Sequence, residues 1–346
     1  MKVEEKKSTR VEWIDVLKGV VIILVVLGHN IQYGAGKEFL ADKSFFSNLV
    51  FKLIYSFHMP CFMMVSGFFF GFTIKKKNIL SSRIQSLLIP TIIWSMIPIC
   101  ARLAKQVVEC KMSCRLFFSI SIRTLLTYFW FLWAVMICSL IVLFLFKLSK
   151  DRIQYFIIIL IILLFSPDWL NTEYWKYMFP YFIIGYLWNK KDKYIQLNEQ
   201  HINFSMPFII ICFFILFLFY DDSSYIYTTG IQIDSLHQFV IDLYRYAIGF
   251  VGAVMMILIV RKSYVIVDRA IPEINKAMAY LGKISFSIYI IDCIMNDYVI
   301  KVVTTSFSLN YLVIIIETIV VIFCCIMIDY GIKSMPLTRR MLLGDR

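Results

Sequence analysis

The sequence predicts an all-α, polytopic integral membrane protein of about ten transmembrane helices. Three observations predict this class: the apolar composition, the repeated long apolar runs and the charge of the connections between them. Of its 346 residues, 60% are hydrophobic and only 17% are charged, whereas soluble domains average about 45–50% apolar residues. Mean hydropathy is +0.76. Apolar runs near the length that crosses a bilayer, roughly 20 residues, recur along the chain. Basic residues collect in every second connection, as they do in cytoplasmic loops.

The predicted membrane spans follow the apolar runs, and their connections alternate between basic and non-basic. The spans cover 14–34, 47–73, 84–104, 125–146, 153–170, 176–189, 203–220, 240–260, 280–300 and 311–331. An even number of spans places both termini on the same side of the membrane. The basic connections indicate that this side is the cytoplasm, where the termini form short tails at about 1–12 and 333–346. No hydrophilic stretch is long enough for a soluble domain, so we expect one membrane-embedded domain over 1–346.

The predicted external connections are 35–46, 105–124, 171–175, 221–239 and 301–310. The 105–124 segment is basic and departs from the charge pattern. Instead of a plain loop, we interpret it as an amphipathic segment that lies at the interface or folds back into the bundle. The stretch from Asp221 to Asp242 is acidic and rich in hydroxyl and aromatic residues. Such a stretch suits carbohydrate contact, but an ordinary solvated loop has the same composition.

The net charge of +12 reports topology rather than a nucleic-acid partner. The basic residues lie in clusters, such as Lys75–Lys77 and the pair Lys190 and Lys191, that alternate along the chain with the spans. The nine cysteines show no metal-ligand spacing, and most lie inside apolar runs. Cys110 and Cys114, in a predicted external segment, are the candidates for a disulfide in an oxidising compartment.

The first span carries a cation and an imidazole on one face. Lys18 and His29 are eleven residues apart, which on an α-helix is about 16 Å of rise and three turns with about 20° left over. Asp15, three residues before Lys18, shares the face. Two interpretations are open: the pair binds an elongated anionic ligand, or Lys18 marks the end of the span while His29 bonds a neighbouring helix.

Further ionisable residues lie at or inside the predicted spans, where each is a functional candidate because burial there is costly. His58 precedes Pro60 near the middle of the second span, at a depth that matches His29. It lines a shared cavity as a second catalytic imidazole, or it holds a helix bent by Pro60. Arg83 opens the third span, where a guanidinium can grip a phosphate or can simply mark the cytoplasmic side.

Three deeper residues are harder to place. Arg245 and Glu317 begin one or two turns from the outer surface, and a structural ion pair between them is the favoured interpretation. Asp292, near the middle of the ninth span, has no evident partner in the sequence.

These residues together resemble the acyltransferase-3 family of integral-membrane acyltransferases, most closely the branch that O-acetylates sugars of bacterial polysaccharides and nodulation factors. The matches follow in family order: Arg10 to His29, Phe57-His58-Met59-Pro60 through Ser66-Gly67-Phe68, Arg83 before Leu87-Leu88-Ile89-Pro90, Trp130-Phe131-Leu132, Pro180 to Tyr186, and Leu281 to Tyr289. The first is the most specific, because the family's basic residue, ten intervening positions and histidine map onto Lys18 and His29.

The resemblance implies an acyl-CoA donor, with acetyl-CoA expected, and a glycan or glycolipid acceptor at the bacterial inner membrane. Lys18, Arg83 and Arg10 would bind the donor phosphates, and His29 would act as general base at the sugar hydroxyl. Asp15, which we count with the catalytic residues, would orient Lys18 or the N-terminal turn. His58 would line the acceptor side or hold the thioester. No metal is required, and the partners are the glycan and membrane lipid, not nucleic acid.

The chain departs from the family pattern at two positions. Asp292 stands where the family often has a histidine, and Ser86 replaces a second arginine shortly after Arg83. The rival hypothesis is a transporter or lipid-linked glycan flippase, in which buried ionisable residues line a path. We find no internal repeat of the kind many transporters carry. A non-catalytic scaffold would account for the apolar bulk but not for the placement of Lys18, His29 and His58.

Overall fold

Helices make up all the regular structure in the described part of the computed structural model, residues 11–33, 43–149, 152–190, 199–231, 233–300 and 310–344. The helices are α1 (Glu12–Tyr33), α2 (Leu49–Thr73), α3 (Ile79–Val108), α4 (Cys114–Thr127), α5 (Trp130–Ser149), α6 (Ile153–Phe165), α7 (Thr172–Lys190), α8 (Glu199–Phe217), α9 (Leu236–Ala270), α10 (Pro272–Lys283), α11 (Ser285–Ile300), α12 (Tyr311–Lys333) and α13 (Pro336–Leu342). The all-α prediction is confirmed for these residues.

Within the described ranges, six helices are long and apolar enough to cross a membrane: α1, α2, α3, α5, α9 and α12. The bent pair α10–α11 is a seventh candidate, and α6 and most of α8 form shorter apolar helices. Each of the predicted segments overlaps a helix. The protein is therefore a polytopic membrane protein, while ten spans and cytoplasmic termini remain predictions.

The predicted span over 280–300 includes a sharp bend, and most of it is α11. The chain there forms two helices, Pro272–Lys283 and Ser285–Ile300, which meet at an angle of 67°. Pro272 begins α10 immediately after α9, at a first-turn position that proline favours. α10 lies along α1 rather than continuing the line of α11, and this packing accounts for the bend.

The packing of α1 on α10 depends on two glycines. A Cβ atom at Gly19 would lie 2.0 Å from the carbonyl oxygen of Met278, and one at Gly282 would lie 1.8 Å from that of Asp15. Only glycine allows such a close approach of two helix backbones. This contact fixes the N-terminal half of α1, including Lys18 beside Gly19.

A second glycine pair joins α2 to α7. A Cβ atom at Gly67 would lie 2.0 Å from the carbonyl oxygen of Phe182, and one at Gly185 would lie 1.8 Å from that of Met64. These tight contacts place α1 and α2, which carry both candidate histidines, inside the bundle. α12 in contrast lies largely exposed on the outside of the bundle, because only 22% of its most apolar window is buried.

Arg245 does not pair with Glu317, so that interpretation is wrong. The guanidinium, 1% exposed, donates from Nη1 to Oδ1 of Asp242 at 2.9 Å, one turn away on α9. It also donates to backbone carbonyls of the loop between α8 and α9, the predicted outer loop, including Ser224 at 3.1 Å and Tyr225 at 3.0 Å. The loop after α8 therefore folds over a buried cation, which distinguishes it from an ordinary solvated loop.

The basic segment 105–124 contains the amphipathic helix α4. Ser113 caps its first turn by accepting a hydrogen bond from the amide of Leu116 at 3.2 Å, and Phe117 and Phe118 are exposed. A helix with exposed aromatic and basic residues fits the membrane–water interface. Cys110 and Cys114 are both free, so the disulfide prediction is wrong.

Candidate active site

His29 and His58 lie in the wall of one internal cavity. The cavity has a volume of about 320 Å³ and is lined by residues of α1, α2, α5, α7 and α11. His29 lies in the last turns of α1, and His58 lies inside α2. The structure thus brings together the two imidazoles that the matched depth of the first two spans suggests. Their catalytic role remains a prediction.

His29 is oriented by a buried carboxylate from α11. Its Nδ1 lies 2.6 Å from Oδ2 of Asp292, a side chain that is 0% exposed. Asn296, one turn later, donates from Nδ2 to the other carboxylate oxygen at 2.7 Å. The carboxylate assigns the ring proton to Nδ1 and leaves Nε2 with a lone pair. An imidazole held in this way is suited to general-base chemistry.

His58 is held by its own helix. Its Nδ1 donates to the backbone carbonyl of Ile54 at 2.8 Å, and its ring packs against Tyr55 with centroids 4.7 Å apart. The side chain is buried, at 3% exposure. Nε2 of His58 is therefore the ring nitrogen left to meet a ligand in the cavity.

Lys18 and Arg83 lie on a second cavity, of about 240 Å³, nearer the basic ends of the helices. Nζ of Lys18 lies 2.9 Å from Oδ1 of Asp15, as their spacing on one helix face suggests, and 5.2 Å from the centroid of Phe69. Asp15 is 1% exposed. The carboxylate and the aromatic ring together hold the ammonium at the cavity wall.

Arg83 reaches the same cavity from the beginning of α3. Its guanidinium lies 4.7 Å from the ring centroid of Phe70, and Nη2 donates to Oγ1 of Thr73 at 3.4 Å. Ser86, where the family has a second arginine, lies in a π-helical turn over Ile84–Leu88. Arg10 lies outside the described residues.

The two cavities are neighbours, because Val25, Met59 and Tyr289 line both. Val25 is seven residues after Lys18 and four before His29, so the three side chains follow one stripe of α1. The ammonium and the imidazole on this stripe therefore face adjacent cavities inside the protein. They do not face lipid.

The outer wall of the histidine cavity is aromatic and polar. The rings of Trp130 and Tyr174 have centroids 4.6 Å apart, and those of Tyr174 and Tyr227 are 5.5 Å apart. Tyr55 donates its hydroxyl to Oε1 of Gln32 at 3.1 Å. Aromatic faces beside amide and hydroxyl groups are suited to binding a sugar, whose C–H faces are apolar and whose rim is polar.

We did not predict Asn296 or the aromatic wall as parts of the site. The sequence singles out Asp292 as a carboxylate inside a predicted span. Asn296 follows it at the i,i+4 spacing that places two residues on one helix face. That spacing is the signal that could have found Asn296. Trp130 lies in a stretch that carries the family resemblance, but no spacing rule links it to Tyr174 or Tyr227.

Across the described ranges, no group of three His, Cys, Asp or Glu residues is placed to hold a metal ion.

The helices and paired cavities define a polytopic membrane protein with a histidine-bearing internal site. The family model described as "Acyltransferase domain" matches residues 11–330. The chain therefore belongs to the acyltransferase-3 family of membrane acyltransferases, and the resemblance is confirmed.

Two curated relatives are similar over half of the chain. The nodulation protein NolL of Sinorhizobium fredii is 35% identical over 180 residues, which cover 50% of this chain and 47% of that protein. The nodulation protein NolL of Mesorhizobium japonicum is 29% identical over 177 residues, which cover 50% of this chain and 46% of that protein. The chain thus matches about half the length of each relative. No solved structure matches.

Proposed function

We propose that this protein is a membrane-bound O-acyltransferase of the bacterial cytoplasmic membrane. It moves an acyl group, expected to be acetyl, from acyl-CoA to a sugar hydroxyl of a cell-surface glycan or its precursor. One observation carries the proposal. An imidazole paired with a buried carboxylate lies in a cavity adjacent to a second cavity that holds two cations, Lys18 and Arg83.

The cavity with Lys18 and Arg83 is suited to the donor. Its two cations can form charge-assisted hydrogen bonds with the phosphates of coenzyme A. Its remaining wall is mainly apolar, with Ile22, Phe62 and Leu87 among the lining residues, which suits the slender arm that carries the thioester. That arm would reach His29 past the residues that line both cavities.

The histidine cavity is suited to the acceptor, which would enter from the opposite face. Arg83 and Arg102 lie 19 residues apart on α3, about 28 Å along a helix. Arg83 lines the cation-bearing cavity, and Arg102 lines the histidine cavity. Because basic loops are typical of the cytoplasmic side, the donor would come from the cytoplasm and the sugar from the outer face.

The proposed chemistry is a direct acyl transfer. Nε2 of His29 takes the proton of the sugar hydroxyl while the hydroxyl oxygen attacks the carbonyl carbon of the thioester. Asp292 stabilises the resulting imidazolium. Collapse of the tetrahedral intermediate breaks the carbon–sulfur bond. The departing thiolate of coenzyme A takes the proton back from His29. His58 lies where its Nε2 can bind the thioester carbonyl or the acceptor.

The test uses purified full-length protein in detergent, radiolabelled acetyl-CoA and surface polysaccharide from a strain that lacks this protein. We expect label in alkali-labile ester on the polysaccharide, together with release of free coenzyme A. His29→Ala should lower the rate by about 10²–10⁴-fold, the usual contribution of a general base. The matched control is His237→Ala, because His237 is exposed in the first turn of α9 and lines neither cavity.

Two outcomes would overturn this proposal. One is a His29→Ala variant that folds correctly and keeps the wild-type rate of ester formation. The other is movement of glycan across vesicle membranes without ester formation, which would identify a transporter.

A further inference from the structure

The turn between α6 and α7, residues 168–171, lines an outer cavity beside the histidine cavity. This outer cavity has a volume of about 370 Å³. It shares Thr127, Asn171 and Tyr227 with the histidine cavity. The two cavities are therefore adjacent, and the turn lies at their boundary.

The backbone of this turn adopts a conformation that L-residues rarely take. Leu170 has φ = 46° and Asn171 has φ = 67°, both in the left-handed region that disfavours a branched apolar side chain such as Leu170. The backbone amide of Trp169 donates to Oγ1 of Thr172 at 2.7 Å. Asn171 donates from Nδ2 to the carbonyl of Thr127 at 3.2 Å. Unfavourable backbone persists where surrounding contacts hold it, often at binding sites.

The turn is also anchored from behind. Asp168 accepts a hydrogen bond from Nζ of Lys176 at 2.6 Å, and Lys176 is 1% exposed. The second carboxylate oxygen of Asp168 accepts from the backbone amide of Ile231 at 3.0 Å. The turn is thereby tied to α7 and to the outer loop, so its side chains have defined positions.

An indole ring stands on this anchored turn. Trp169 lines the outer cavity and is 71% exposed. Tyr227 lines both cavities and continues, through Tyr174, into the aromatic wall beside Trp130. Aromatic groups thus extend from the histidines to the outer rim. Asn171 places its amide at the boundary, with Oδ1 able to accept from a sugar hydroxyl.

We propose that the outer cavity is a second sugar-binding subsite, with Trp169 as its stacking surface and Asn171 between the subsites. The acceptor is then an oligosaccharide or polysaccharide of at least two sugar units, not a free monosaccharide. This inference rests on the proposed acyltransferase function. The competing interpretation of Trp169 is an interfacial anchor, since tryptophan is enriched at membrane surfaces.

The test measures how the rate depends on acceptor length. Surface polysaccharide from a strain lacking the protein is hydrolysed and separated into monomer, dimer and tetramer fractions. Each fraction is supplied with radiolabelled acetyl-CoA to wild type, Trp169→Ala, Trp169→Tyr and Phe219→Ala. Phe219 is a matched control because it is also 71% exposed and lines neither cavity.

We expect wild type to have a higher kcat/KM for dimer than for monomer. Trp169→Ala should reduce the dimer-to-monomer ratio by about three- to tenfold, the range for loss of one aromatic stacking contact. Trp169→Tyr should keep most of the ratio, and Phe219→Ala should equal wild type.

An unchanged dimer-to-monomer ratio of kcat/KM in Trp169→Ala would overturn the subsite. Equal losses of kcat/KM on monomer and dimer, together with a lower unfolding temperature, would also overturn it, because they indicate that Trp169 is an interfacial anchor. A wild-type protein that acylates monomer and dimer equally would also overturn it, with the acyltransferase proposal intact. If no fraction is acylated, the proposed function and the subsite fail together.

Discussion

At the scale of single residues, the site depends on one hydrogen-bonded chain from Asn296 through Asp292 to His29. A neutral imidazole has two possible tautomers, and only one leaves the lone pair on Nε2. In the proposed mechanism, the carboxylate selects that tautomer and stabilises the imidazolium that forms when His29 takes a proton. We therefore propose that Asp292 is a positioning residue that acts through His29.

The substitution Asp292→Asn tests this role. The amide of Asn can donate to Nδ1, which favours the tautomer with its proton on Nε2, and it provides no charge. We therefore expect kcat to fall by about 10²-fold with little change in KM for acyl-CoA. The kcat–pH profile should also lose or move its limb for the base. Steady-state kinetics across pH 5–9 measure both effects.

Asp329→Asn is the matched control for this prediction. Asp329 is also 0% exposed, and it pairs with Ser287 at 2.6 Å and Lys333 at 2.7 Å. Its loss should lower stability without a specific effect on the pH profile. Equal effects of the two variants on kcat would show that Asp292 acts only through stability.

At the scale of helices, α1 carries both ends of the proposed donor path, and α10 holds α1 in place. The backbones approach so closely at Gly19 and Gly282 that no side chain fits between them. A shift of α1 would move Lys18 and His29 together. In the proposed mechanism, the position of this helix therefore couples binding of the donor to the chemistry.

Gly282→Ala should disturb this contact. The added methyl group would lie 1.8 Å from the carbonyl oxygen of Asp15, so the helices must separate, at a cost of about 1–3 kcal/mol in unfolding free energy. Thermal unfolding in detergent measures the change. Gly331→Ala is the control, because a Cβ atom there meets nothing within 4 Å; equal unfolding temperatures for the two variants would contradict the packing.

Lys18→Gln tests the donor end of the same helix. Loss of one charge-assisted phosphate contact should raise KM for acyl-CoA by about 10- to 100-fold, with a smaller change in kcat. Kinetics with varied acyl-CoA at low and high salt provide the measurement.

Lys333→Gln is the control for the donor contact. Lys333, like Lys18, pairs with a buried aspartate, but it is not among the residues that line either cavity. A matching rise in KM in Lys333→Gln would show that general basic charge, and not Lys18 itself, attracts the donor.

At the scale of the whole molecule, hydropathy and helix periodicity predicted much of what the structure shows. The all-α class follows from apolar runs, and the shared face of Lys18 and His29 follows from their eleven-residue spacing. Both are local properties of the chain. The approach of His29 and Asp292 is not local, because 263 residues separate them.

The wrong or missed predictions concern residues whose depth in the membrane can be read from the sequence but whose neighbouring helices cannot. Arg245 and Glu317 lie at similar predicted depths, but depth does not determine which helices pack together. Arg245 instead pairs with Asp242 on its own helix. The bend between α10 and α11 was missed because its cause, the close packing of Gly282 on α1, is a tertiary contact. The aromatic wall likewise combines α5, α7 and the outer loop, whose order in space the sequence does not state.

The central claim is that one acyl-CoA molecule occupies both cavities, from Lys18 and Arg83 to His29. The most direct test is a cryo-electron microscopy structure of the full chain with a non-hydrolysable thioether analogue of acetyl-CoA. We predict phosphate density within hydrogen-bonding distance of Lys18 and Arg83, and the acyl carbonyl beside Nε2 of His29. Analogue density elsewhere, with both cavities free of it, would contradict the account.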